Sequence, residues 1–234
     1  MATTESVQDE QALREEIFES RWEAAPAVLV VIATQVTVAL LSRAQGWQLW
    51  IFPWWAWLIP TVPEGLLFLT LTLEAPRRQL QQLGVRRMFG LAMIGIIVVA
   101  DGLLILALLI SLIQSNETGG HLLIMGLTVW TSNVATFGLA FWSVDRGGPV
   151  RRLEPDPPPP DFQFPQMENP QIAPRGWRPH LIDYAYVSFT NSIAFSPTDA
   201  MPLTHWAKFL MLVESALSAA TLLLVVARAV NIFR

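Results

Sequence analysis

The sequence predicts an all-α fold, a polytopic transmembrane helix bundle of five clear spanning helices and one irregular membrane segment. Three observations lead there. Hydrophobic residues make up 53% of the 234-residue chain and charged residues only 15%, a balance unlike that of soluble domains. The apolar residues fall in long blocks rather than in stripes of helical or strand period. These blocks reach or approach the length of about 18–20 residues that carries a helix across a bilayer core.

The blocks are Ala25–Ser42, Trp57–Leu73, Met88–Leu112, Leu122–Val144 and Trp206–Ile232. They divide the chain into an acidic N-terminal segment (1–24), a four-helix transmembrane region (25–144), a proline-rich linker (145–180) and a C-terminal region with the last spanning helix (181–234). Before the first block, Leu13, Ile17, Phe18 and Trp22 recur at helical spacing within an acidic stretch. That pattern suits a surface helix leading into the bilayer, and its charge is wrong for a secretory signal. The tryptophans from Trp47 to Trp57 read as an interfacial belt, with Pro53, Pro60 and Pro63 bending the approach.

Basic residues mark the cytoplasmic ends of spanning helices. Arg77, Arg78, Arg86 and Arg87 place the connection between the second and third blocks inside the cell, and with it the N-terminus. Arg146, Arg151 and Arg152 place the end of the fourth block inside as well. The expected location is the plasma membrane with a cytoplasmic N-terminus.

Several functions are excluded or disfavoured. The chain has no cysteine, so disulfides, thiolate ligands and thiol nucleophiles are ruled out. His121, His180 and His205 show no metal-ligand spacing. No phosphate-binding loop, HExxH or GxSxG pattern occurs. No enzyme activity, cofactor, metal or nucleic-acid partner is expected, and the lipid bilayer is the first partner.

The linker contains Pro149, Pro155, Pro157 through Pro160, Pro165, Pro170, Pro174 and Pro179. Such a stretch resists helix formation and tends to polyproline II. Phe162, Phe164, Met167 and Trp177 give it enough apolar surface to pack on a membrane-facing belt. It reads as a linker, as a docking strap, or as a proline-motif ligand for a partner protein. The acidic N-terminus is a second place for such a partner.

Polar residues inside the apolar blocks are costly and so usually partnered, at about 2.5–3.5 kcal/mol for a charge at mid-membrane. Gln35 is central in the first block, Glu64 opens the apolar body of the second, and Asp101 is central in the third. Asn133 is central in the fourth, with Thr131, Ser132 and Thr136 beside it. At similar depth in a bundle they form either an ion or proton pathway or a set of interhelical hydrogen bonds. In the last block Glu214 is a lining or partnered carboxylate, and Arg228 is placed to snorkel to the surface.

The run Ser188–Thr204 aligns without a gap on the pattern S-F-T-T-x-T-T-V-G-Y-G-D-x-x-P-x-T. Asp183–Thr190 stands at the pore-helix positions, Asp199, Pro202 and Thr204 at the conserved ones of that motif, and Met211–Ser215 with Val226–Val230 at those of a lining helix. These residues resemble the pore module of bacterial potassium channels and, more closely, uncharacterised bacterial polytopic membrane proteins with a similar degenerate filter. The resemblance covers about the last fifty residues. It implies a homo-oligomer and an ion path at Phe195, Ser196, Pro197, Thr198, Asp199 and Glu214.

A potassium-type filter cannot form from these residues. Such a filter presents backbone carbonyls to the ion, and glycine lets the backbone adopt the conformations required. Ser196, Pro197 and Thr198 occupy the Gly-Tyr-Gly positions. Proline fixes φ near −65° and lacks an amide hydrogen, and β-branched Thr198 resists positive φ. The same residues also read as a helix start, with Ser196 as N-cap, Pro197 next and Asp199 reaching back.

Two functions remain open. One is a channel-like protein that passes ions by some route other than a potassium filter. The other is a non-conducting scaffold or accessory subunit in which the degenerate pore module serves packing. Parity bears on both, because four crossings return the chain to the cytoplasm before the pore-like segment begins. Leu181–Leu203 either crosses completely, giving six membrane segments, or re-enters from the inside. Its length and the returned arginines favour the crossing.

Overall fold

The computed structural model describes residues 24–46, 53–72, 86–114, 119–149, 151–153, 156–169, 171–174, 176–194 and 200–232. Seven α-helices run through these residues: α1 (Ala24–Gln45), α2 (Thr61–Thr72), α3 (Arg86–Gln114), α4 (Gly119–Val144), α5 (Pro165–Glu168), α6 (Leu181–Ala194) and α7 (His205–Ile232). The short strands β1 (Phe162–Gln163) and β2 (Met201–Pro202) pair antiparallel. The acidic segment 1–23 lies outside the described residues, as do the arginines at 77 and 78 and the side chain of Arg228.

Four helices are long and apolar enough to cross a membrane, at Ala25–Gln45, Leu91–Ile110, Leu123–Gly147 and His205–Ala227. The expected fifth span, Trp57–Leu73, is divided among the described residues. A 3₁₀ turn (Trp54–Leu58) comes first, and α2 follows with 12 residues, about 18 Å at 1.5 Å per residue. Proline explains the break. Pro60 has no amide hydrogen to continue the 3₁₀ turn, and its carbonyl instead accepts the Glu64 amide at 3.2 Å to begin α2. Trp57 is also not an interfacial anchor: it is 1% exposed and packs in the core. Arg43 lies over Trp54, 5.0 Å from its ring centroid, and Trp55 faces outward.

The exterior is apolar and the interior holds polar side chains among its apolar ones, unlike a soluble protein. Leu103 and Leu127 are more than 60% exposed, while Gln35, Asp101, Asn133 and Glu214 are at most 2% exposed. So much outward apolar surface suits a hydrocarbon solvent.

The buried apolar residues form two clusters. One gathers Val28, Ile97, Phe137, Phe141, Tyr184 and Met211, at the end where α4 finishes. The other gathers Val38, Trp57, Leu104, Leu108, Met125 and Val129, toward the opposite end. Along the long helices Gln35, Asp101, Ser132, Asn133, Thr136 and Glu214 fall between the two.

Segment 181–203 does not cross the bundle, which corrects the six-segment expectation. Tyr184, in the first turn of α6, donates a 2.5 Å hydrogen bond to Asp145, the residue after α4. The chain is back at this same end by β2, because Leu203 N donates to the Asp161 carbonyl at 2.8 Å and Thr204 Oγ1 to the Asp161 carboxylate at 2.8 Å. Between those ties α6 runs 14 residues, about 21 Å, antiparallel to α4. Its Ser188 reaches the Val134 carbonyl at mid-helix. A glycine allows the approach: a Cβ on Gly138 of α4 would stand 3.0 Å from Ala185 Cα. The segment therefore begins and finishes at one end of the bundle. Residue counts permitted a crossing, and only the ties to Asp145 and Asp161 decide against it.

Candidate functional site

Three polar clusters are held inside this frame. The first seals the end of the bundle. Asp145 Oδ1 accepts the amides of Asp161 (2.7 Å) and Phe162 (3.2 Å), and its Oδ2 accepts the Tyr184 hydroxyl. Arg152 Nη1 lies 3.8 Å from the same carboxylate, and its Nη2 donates to the Trp142 carbonyl at 2.7 Å. The guanidinium also stacks over Trp142 and Tyr184. Asp161 in turn accepts the amide of Arg146, whose left-handed φ of 52° turns the chain away from α4. Through these ties the proline-rich stretch becomes a strap, with Phe162 and Phe164 buried against Phe141 and Tyr184.

The second cluster surrounds Glu214, which α7 places opposite α6. Its Oε1 bonds the Ser188 hydroxyl and its Oε2 accepts Asn191 Nδ2 at 2.6 Å. Asn191 also donates to the Met211 carbonyl at 3.0 Å and accepts from Ser215 Oγ at 2.9 Å. Each carboxylate oxygen has a partner, and Ser188 shares its one hydroxyl hydrogen between Glu214 and the Val134 carbonyl. Ser188, Asn191 and Ser192 are all at most 2% exposed, so the polar face of α6 is spent on α4 and α7.

The third cluster differs. Gln35 of α1 donates Nε2 to Glu64 Oε1 of α2 at 2.8 Å. Asp101 of α3 is near enough for its charge to act on Glu64, and Ser132 of α4 is the polar side chain that acts on Asp101. Both Asp101 oxygens, Glu64 Oε2, Gln35 Oε1 and Ser132 Oγ are buried without a hydrogen-bond partner. Unpaired buried polar atoms are rare and costly, about 1–3 kcal/mol each and more when charged. Five such oxygens belong to this cluster, and four of them, on Asp101, Glu64 and Gln35, are carboxyl or amide oxygens that accept.

Asn133 and Ser218 link α4 to α7 at the same level, 2.9 Å apart, and Thr136 lies one turn from Ser132 with its hydroxyl unpaired. Along α1, α3, α4 and α7 the polar positions fall between the two apolar clusters, so the second and third clusters belong to one layer across the bundle.

No protein-family model matches this chain, and no curated protein or solved structure is similar to it. The site is therefore read from its own chemistry.

The structure brings Gln35, Glu64 and Asp101 together, sets Asn133 beside them in the layer, and puts Glu214 in a separate cluster with Ser188 and Asn191. Thr131 turns outward and bonds its own helix at Leu127. Phe195, Ser196, Pro197, Thr198 and Asp199 lie outside the described residues. Thr204 caps α7: its hydroxyl accepts the Ala207 amide at 3.3 Å. The sequence reading took Arg152 as a topology marker and missed its place beside Asp145. A buried arginine between prolines, within reach of aromatic residues, is the only signal the sequence carries for it.

What the third cluster can do follows from its donors. Carboxylate, amide and hydroxyl oxygens suit hard cations, and paired carboxylates inside a membrane commonly serve ion or proton passage. Among the described residues no group of three or more His, Cys, Asp or Glu side chains is placed to hold a metal ion.

Proposed function

We propose that this is an integral protein of the bacterial plasma membrane, channel-like in its re-entrant half-helix, that passes a small cation through its polar layer. The observation that carries the reading is the group of unpaired oxygens on Glu64 and Asp101, buried midway between two apolar clusters. Packing alone gives a bundle no reason to keep two carboxyl groups there with oxygens left unpaired. A route built this way needs no potassium-type filter and no shared axis between subunits. Phe195–Asp199, which follow the inner end of α6 in sequence, stand in this proposal as the constriction, and homo-oligomer formation becomes optional. With the N-terminus cytoplasmic, α6 enters from the inside and the C-terminal end of α7 lies outside.

The test is cation flux into liposomes containing the full chain, wild type beside Glu64→Gln. The proposal expects flux above empty vesicles in the wild type and at least a tenfold loss in the variant. Absence of flux for every cation tried, with correctly inserted protein, would sink it.

The second reading, a non-conducting scaffold or accessory subunit, draws support from Glu214. Its saturated bonds to Ser188 and Asn191 make α6 a packed wedge rather than a pore wall. The strap and the N-terminal segment are then the places for a protein partner.

A further inference from the structure

The third cluster has a coordination sphere that specifies its ligand more closely than cation passage requires. Its five unpaired oxygens are two of Asp101 and one each of Glu64, Gln35 and Ser132. They come from four different helices, and each of these side chains is at most 2% exposed. Gln35 fixes the geometry: its amide hydrogen bond to Glu64 Oε1 commits the nitrogen, which leaves the amide oxygen beside Glu64 Oε2. Ser132 is the one hydroxyl near enough to act on Asp101, and the other oxygens have no donor among the described residues.

We infer that Gln35, Glu64, Asp101 and Ser132 form a binding site for one monovalent cation of sodium's size, stripped of its water. The inference rests on the reading of the layer as a cation path and names the ion. Donor type excludes soft metals, which prefer sulfur and imidazole. Calcium takes about 6–8 oxygens and magnesium keeps several of its own waters. Five donors fall short of the first, and a layer closed above and below by apolar side chains has no place for the second. The described residues also lack the third carboxylate or imidazole that a tight divalent site would add. A monovalent ion asks for less charge and tolerates an irregular shell. Potassium is larger and ordinarily takes more oxygens than the five present here.

The experiment is radiosodium binding to the full chain in detergent micelles, with potassium, calcium and magnesium chlorides as competitors. The inference expects saturable binding of one sodium per chain, displaced poorly by potassium and calcium. Asp101→Asn should weaken it at least tenfold. Gln35→Met and Ser132→Ala keep both carboxyl groups, so they preserve the test if Asp101→Asn does not fold, and each should weaken binding several-fold. Saturable binding that none of the three variants changes would place the ion elsewhere and overturn the inference. Preferential displacement by calcium or magnesium would overturn the choice of ion. Cation flux without saturable sodium binding would overturn the site while leaving the proposed function in place. Sodium binding without any flux would uphold the site and refute the path.

Discussion

Two carboxylate sites occupy the same polar layer, and they are built on opposite principles. Glu214 has a hydrogen-bonding partner at each oxygen, and those partners come from one helix, α6. Asp101 has only the Ser132 hydroxyl near enough to act on it, with neither oxygen in a formed hydrogen bond, and Glu64 has a donor on a single oxygen. A saturated buried network specifies a packing arrangement, whereas an incompletely satisfied one is worse than an apolar core. The first site therefore explains how the re-entrant helix is held. The second is left incomplete by the packing, and on the proposed function that is where the cation passes. Burial and charge alone do not separate structure from function in this layer; hydrogen-bond completeness does.

Replacing Glu214 with leucine breaks the saturated side of the comparison and should have the largest effect. It strips a hydrogen bond from Ser188 and one from Asn191 inside a dry interior, a loss of about 2–4 kcal/mol. The thermal midpoint in detergent should fall by several degrees. A neutral outcome would mean that α6 is not fastened by Glu214.

Gly138→Ala attacks the same helix from its other side. The added methyl meets backbone at Ala185 rather than a movable side chain, so α6 must shift, at about 1–3 kcal/mol. Loss of protease protection in the strap would report the shift.

On the unsaturated side the sign reverses. Asp101→Leu removes two unpaired oxygens, and exchanging buried charge for apolar side chains is neutral or stabilising by about 1–4 kcal/mol. The thermal midpoint measured without added sodium should hold or rise. A fall as large as that of Glu214→Leu would erase the distinction between the two sites.

The last prediction carries no energetic effect and sharpens the geometry around Glu214. With no native cysteine, single cysteines at Asp156 and Asn231 can be labelled from either face of a sealed vesicle. A re-entrant 181–203 requires that they react from opposite faces. Labelling from one face would restore the full crossing.

Much of the fold was legible because length and apolarity are properties of contiguous sequence. Four of the five expected blocks became long apolar helices, while Pro60 divided the fifth where proline punctuation had suggested only a bend. The polar layer was legible one residue at a time, since Gln35, Asp101, Asn133 and Glu214 each interrupt an apolar run. Which of them is satisfied was not legible. The bonds that decide it join residues 23 to 85 positions apart, and spacing along one helix carries no trace of them. Re-entry was hidden for the same reason, because it depends on Asp145 and Asp161 holding both ends of a segment whose length alone allowed a crossing. The resemblance to a pore module directed attention to Glu214, the carboxylate that turns out to be saturated.

The most direct test of the account is cation flux measured in one liposome preparation series for wild type, Asp101→Asn and Glu214→Gln, each normalised to inserted protein. The account predicts flux in the wild type, its loss in Asp101→Asn, and its retention in Glu214→Gln. Loss in Glu214→Gln with retention in Asp101→Asn would contradict it, and would return the path to the face of α6.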